Sequence, residues 1–114
     1  MARKKRSNGR LERFGNFLKQ ARIAAGIQTQ KAAISELAKV GFRISGADMC
    51  RYEKGTIYNP SQEAFNGFAA IYQVGYATLV LRFMIEKYGL GEDKCFRFLL
   101  ETLLRSTKSA VNNQ

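Results

Sequence analysis

The run Ser45-Gly-Ala-Asp-Met-Cys-Arg-Tyr-Glu-Lys-Gly55 combines a helix start, a basic face and a helix stop in one short span. Ser45 and Asp48 have the S-x-x-[DE] spacing in which a hydroxyl and a carboxylate satisfy free backbone N–H groups at a helix N-terminus. Met49 and Tyr52, three apart, put two large side chains on one face, and Gly55 suits the left-handed backbone that ends a helix. Arg51 and Lys54 fall on a different face and point away from that core. Cationic donors on the free face of a short helix suit a polyanion.

The rest of the chain offers little for making or breaking bonds. It has no histidine and two isolated cysteines, Cys50 and Cys95. A Cys/His zinc site is therefore not expected, nor is His-dependent acid–base or triad chemistry. Counting alone allows a Cys50–Cys95 disulfide, but reduced thiols are the default in a cytoplasmic chain. There is no Gly-rich phosphate loop, no G-x-S-x-G and no acidic pair in a catalytic setting. The expectation is a protein that is not an enzyme and uses no cofactor or metal.

The net charge of +10 is unevenly placed. Residues 1–10 hold five basic and no acidic groups, 11–27 three and one, 28–60 five and three, and 61–114 six and five. The first 60 residues thus carry +9 and the remainder +1. That asymmetry points to a polyanion partner for the N-terminal half and a different duty for the C-terminal half. The most apolar stretch, Tyr76 to Ile85, falls far short of the roughly 18 to 20 apolar residues a membrane helix needs. The basic start is not followed by a signal-peptide core. No membrane association and a cytoplasmic location are expected.

The 114 residues suit one domain with a small appendage. Residues 1–10, with Arg3, Lys4, Lys5 and Arg6 in a row, read as a flexible basic arm. From Leu11 the pattern turns helical, with Phe14, Phe17, Leu18, Ala21 and Ala25 spaced mostly by three or four and Gly26 as the stop. A second helix starts at a Gln28 or Thr29 cap and runs to about Val40, with Ala33, Ile34, Leu37 and Val40 inward. After the connector Gly41 to Ile44, the third helix is Gly46 to Lys54. Pro60 and Ser61 open a fourth, with Ala64, Phe65, Phe68, Ala69 and Tyr72 inward. Residues 11–75 form this unit. Residues 76–106 form an extension of two helices, Thr78 to Tyr88 and Asp93 to Ser106, apolar around much of their circumference. A four-helix unit already fills its own core, so the surplus needs another surface. It either folds back or meets a second subunit, and the homodimer, through Leu79, Phe83, Phe98, Leu99 and Leu103, is the preferred reading. Residues 107–114 read as disordered.

From Arg13 to Val74 the chain resembles the lambda-repressor-like (Cro/Xre-type) helix-turn-helix family of bacterial and phage DNA-binding regulators. The pieces that carry the resemblance are the upstream helix ending in Arg22 and Gly26, the Ser45–Gly55 run, and the helix opened by Pro60 and Ser61. It implies an all-α bundle whose third helix enters the major groove while the second rests its N-terminus on phosphates. Carried over by position, Ser45, Gly46, Ala47 and Asp48 occupy the first turn and Arg51 the next. Arg51 is then the base reader, since a guanidinium can bond guanine O6 and N7 together; its alternative is phosphate binding. Gly46 and Ala47 are smaller than the polar side chains common there, so readout should lean on Arg51, the arm and DNA shape. Asp48 is either the cap partner of Ser45, which is preferred, or a cytosine reader. Thr29 and Gln30 head the second helix as cap and phosphate donor, with Gln28 the other candidate. Gly26 and Gly55 stand farther apart than the compact family pattern needs, so the second helix or the turn is enlarged and Arg43 gains a phosphate contact. Lys54, Thr56, Tyr58 and Asn59 supply donors on the following loop, although Asn59 could instead cap the fourth helix. Arg22 and Glu53 stand where the family pairs residues, and are read as a structural ion pair.

The function implied is a sequence-specific double-stranded DNA-binding transcriptional regulator, a repressor that matches a two-fold operator as a dimer. The alternative is an antitoxin-like module whose C-terminal helices hold a small protein partner, with autoregulatory DNA binding. A third reading is a non-specific basic protein that binds DNA or RNA.

Overall fold

The computed structural model describes residues 11–90, 94–99, 101–102 and 105. Five helices follow one another: α1 (Glu12–Ala24), α2 (Gln30–Lys39), α3 (Gly46–Lys54), α4 (Gln62–Tyr72) and α5 (Tyr76–Lys87). The described part of the chain is all-α, without a strand. Three starts are fixed by the same local device. Thr29 accepts a hydrogen bond from the Ala32 N–H (3.1 Å), Ser45 from Asp48 (3.0 Å) and Ser61 from Ala64 (3.1 Å). Each such cap stabilises its helix by about 1 kcal/mol. Helix α3 ends on Gly55 in the left-handed region, φ 81°.

The core draws on every helix. Leu11, at the cap position of α1, packs with Phe14 and Leu18 of α1, Leu37 of α2, Met49 and Tyr52 of α3, Phe65, Phe68 and Tyr72 of α4, and Leu79 and Phe83 of α5. Tilted and edge-on ring pairs bind the layers, with centroids 5.1 Å apart for Tyr52–Phe68, 5.3 Å for Phe65–Phe83 and 5.6 Å for Phe14–Phe83. Such pairs add about 0.5–1.5 kcal/mol beyond the area they bury.

Two expectations are corrected here. Leu79 and Phe83, assigned to a dimer interface, are 0% and 8% exposed within one chain. The first four helices leave the Phe14–Phe65 side open, and α5 closes it. Val40, placed inward on α2, is half exposed because the helix ends at Lys39 and the chain turns away. Phe42 takes the inward position instead, edge-on to Phe68 at 6.0 Å.

Helix α5 is also tied to α1 by a bond the sequence does not announce. Leu11, at the N-cap of α1, offers no side-chain acceptor. The Glu86 carboxylate fills that role from α5, accepting from the Phe14 N–H at 2.7 Å and the Arg13 N–H at 3.1 Å. A carboxylate at a helix N-terminus also meets the positive end of the helix dipole. The five-helix unit therefore extends through Lys87, past the expected boundary at residue 75.

Beyond it, residues 94–99, 101–102 and 105 are helical, with Phe98 71% and Leu99 51% exposed. Leu103 lies outside the described residues. Among the described residues no helix is long and apolar enough to cross a membrane.

Candidate nucleic-acid interface

Helix α3 has two faces of opposite character. Met49 and Tyr52 are buried, while Ser45, Gly46, Ala47, Arg51 and Lys54 are exposed and Cys50 is partly covered. At 100° per residue, Ala47, Arg51 and Lys54 lie together on the side opposite Met49 and Tyr52. The helix thus seats itself through its apolar pair and presents a small residue and two cations outward. Arg43, in the connector 40–45, is exposed as well.

The Asp48 carboxylate does not turn back to the Ser45 N–H as a full capping box would require. Only the forward half forms, from the Asp48 N–H to Ser45 Oγ. The carboxylate instead accepts from Arg51 Nη2, one turn along α3, in a close ion pair whose side chains are 43% and 53% exposed. An exposed pair at this spacing contributes about 0.3–0.5 kcal/mol to the fold, so its main effect is on where the guanidinium points.

Behind α3 stands a buried clamp. Arg22 donates from Nε to Glu53 Oε2 at 2.7 Å and from Nη2 to Oε1 at 3.2 Å, and both side chains are 5% exposed. Its Nη1 donates to the Ile27 carbonyl at 3.0 Å. Gln30 Nε2 adds a third bond to Glu53, at 2.9 Å. Gln30, expected to donate to phosphate, gives one amide hydrogen to the clamp, which joins α2 to the end of α3, and keeps the second for another acceptor. The hydrogen bond to Glu53 holds the Arg22 guanidinium above its ordinary range, against the opposing effect of burial. Tyr72 lies close enough to feel both charges. Burial first, then the Glu53 carboxylate, push its phenol far above the usual range, and its buried hydroxyl has no hydrogen-bond partner in the structure.

Glycines let α1 and α3 approach at this junction. A Cβ on Gly15 would stand 2.6 Å from the Glu53 carbonyl oxygen and 2.9 Å from that of Tyr52, closer than real atoms come. The Leu11 N–H donates to the Gly55 carbonyl at 2.5 Å. Both ends of the contact are backbone, so neither can yield to a side chain.

The loop after α3 was expected to carry phosphate donors. Thr56 is exposed, and its hydroxyl donates back to the Arg51 carbonyl at 3.3 Å. Asn59 does not cap α4, a role Ser61 takes; its Oδ1 accepts from Lys87 Nζ. That ammonium also stands 4.5 Å from the Tyr58 ring centroid, 5.3 Å from Phe83 and 5.5 Å from Tyr88. Lys87 thus fixes the Tyr58–Asn59 loop against the end of α5. Arg3, Lys4, Lys5 and Arg6 lie outside the described residues.

Glu86 and Lys87 are the positioning residues that sequence reasoning missed. One signal was available for the first: a helix starting after Leu11 lacks a local cap and has to find one elsewhere. Cys50 and Cys95 are free thiols. Among the described residues no group of three or more His, Cys, Asp or Glu side chains is arranged to hold a metal ion. No family model, no curated protein and no solved structure matches the chain.

Proposed function

We propose that this chain is a sequence-specific double-stranded DNA-binding regulator of the lambda-repressor-like helix-turn-helix type, with α3 as the recognition helix. The observation that carries the reading is the two-faced build of α3. Its apolar face is buried, its C-terminal end is clamped by Arg22 and Gln30 through Glu53, and its outward face offers Ala47, Arg51 and Lys54. A helix held this firmly from behind and left basic in front is built to be pressed into a groove.

In that role Arg51 reads a guanine edge and Ala47 allows close approach or packs on a thymine methyl. Lys54, Arg43, Thr56 and Tyr58 contact phosphates, joined by Thr29 at the head of α2 and by the Arg3–Arg6 arm. The mechanism is steric: two recognition helices in successive major grooves block polymerase. Exposed Phe98 and Leu99 support a second chain at the C-terminal helix, which would match a two-fold operator. The same exposed pair supports the antitoxin-like reading, in which a small partner protein covers them.

Selection of bound duplexes from a random pool tests the proposal. An enriched motif with two half-sites about one helical turn apart is expected. A pool that stays random after repeated rounds would refute sequence-specific binding. Co-purification of a small second protein in place of a homodimer would favour the antitoxin-like reading.

A further inference from the structure

We infer that Asp48 is a specificity-determining residue of the proposed interface: it orients Arg51 toward guanine and does not itself read a base. The inference rests on the DNA-reading proposal and adds a role for the one acid on the outer half of α3.

A guanidinium carries five N–H donors. Asp48 takes one hydrogen of Nη2. Whichever of the two it takes, one complete two-donor edge of Arg51 is left, and that is the edge bidentate recognition of guanine O6 and N7 requires. A free arginine would sample many rotamers and meet phosphates as readily as bases. Bonded to Asp48 from its own helix, its guanidinium is held on the exposed side of α3, where the outward residue Ala47 carries no long side chain to block a base edge. The carboxylate has an opposite effect on affinity. It places a negative charge in the first turn of α3, near the phosphates, and so weakens binding to any duplex. A group that lowers general affinity and sharpens one contact raises the ratio between right and wrong sites.

The pair is exposed and contributes little to the fold, so its removal should leave the helix content intact. Ser45 still caps the helix through the Asp48 backbone N–H, which no substitution at this position but proline removes.

The test is a double-mutant cycle read on DNA. The preferred duplex is selected with the wild-type protein. Each base pair of the half-site is then changed in turn, and binding is measured for the wild type, Asp48→Ala, Arg51→Ala and the double variant. A good bidentate contact discriminates by about 5- to 150-fold. Arg51→Ala should erase that discrimination at one guanine. Asp48→Ala should cut it about twofold at the same guanine, the change in Arg51 orientation that a pair of this strength supports, while binding to random duplex tightens. In the Arg51→Ala background, Asp48→Ala should change no base preference. If Asp48→Ala leaves guanine discrimination intact, the orienting role is wrong while the DNA-reading proposal stands. If it relaxes a cytosine position equally with and without Arg51, Asp48 is itself a reader and the inference is overturned. If the wild type selects no motif, the inference falls together with the proposal on which it rests.

Discussion

The guanidinium of Arg22 is sealed against Glu53, whereas that of Arg51 is half exposed and pairs with Asp48. The two arginines therefore respond differently to truncation. Glu53→Ala strips a buried cation of its partner and leaves Gln30 without its acceptor. Removing one member of a buried pair costs about 3–5 kcal/mol, and chemical denaturation should show a loss of that size. A loss below about 1 kcal/mol would mean that water reaches the Arg22 site. Arg51→Ala should leave stability unchanged within about 0.5 kcal/mol. On the preferred duplex it should cost about 1–3 kcal/mol and relax one base position. Equal losses on preferred and random DNA would reassign Arg51 to phosphate binding.

At the scale of elements, the helix α1 has no side-chain cap of its own and borrows Glu86 from α5. Glu86→Ala should destabilise the bundle by about 1–2 kcal/mol, near the upper range for losing a cap. Hydrogen exchange should quicken first at the start of α1, and an unchanged melting temperature would show that the bond is incidental. The borrowed cap also marks the limit of what the sequence makes legible. Thr29, Ser45 and Ser61 cap helices three residues ahead, so their roles can be read locally and their positions agree with the structure. The Met49–Tyr52 face and the stop at Gly55 are local in the same sense. The Glu86 bond spans 72 residues and leaves no periodic trace. Helix α5 takes the fold-back alternative for the same reason: its apolar residues announce burial without saying against what, and Phe14 and Phe65 are the answer. Asp48 follows the sequence in its backbone, which bonds Ser45 as a cap partner should, while its carboxylate turns to Arg51, a choice that spacing alone does not make. The Arg22–Glu53 contact was expected only through a family resemblance. The need for Gly15 at their junction appears once the two backbones are seen to touch.

Across the whole molecule, the densest charge lies at one end of the chain and two adjacent exposed apolar side chains lie near the other. The first ten residues carry +5, and the exposed Phe98 and Leu99 lie near the other end. If the arm follows DNA, deleting residues 1–7 should weaken binding to all duplexes alike. The log–log salt dependence should lose about 0.9 for each phosphate contact removed, and an unchanged slope would make the arm a bystander. Phe98→Glu with Leu99→Glu should leave the five-helix unit folded, since neither side chain belongs to its core. If the wild type pairs through this helix, light scattering should report a dimer that the substitutions turn into a monomer, with tight operator binding lost because two weak half-site contacts are no longer linked. A wild-type chain that is monomeric at micromolar concentration, free and on DNA, would refute the dimer.

A basic bundle that reads sequence must distinguish one DNA duplex from another. The measurement that tests this most directly is a competition titration at a single stated salt concentration. The selected duplex, the same duplex scrambled, and an RNA duplex of equal length compete for the wild-type protein. The selected duplex should bind roughly a thousandfold or more tighter than either competitor. Affinities within a few fold of one another for all three would contradict it, and would leave a basic protein that senses phosphate charge alone.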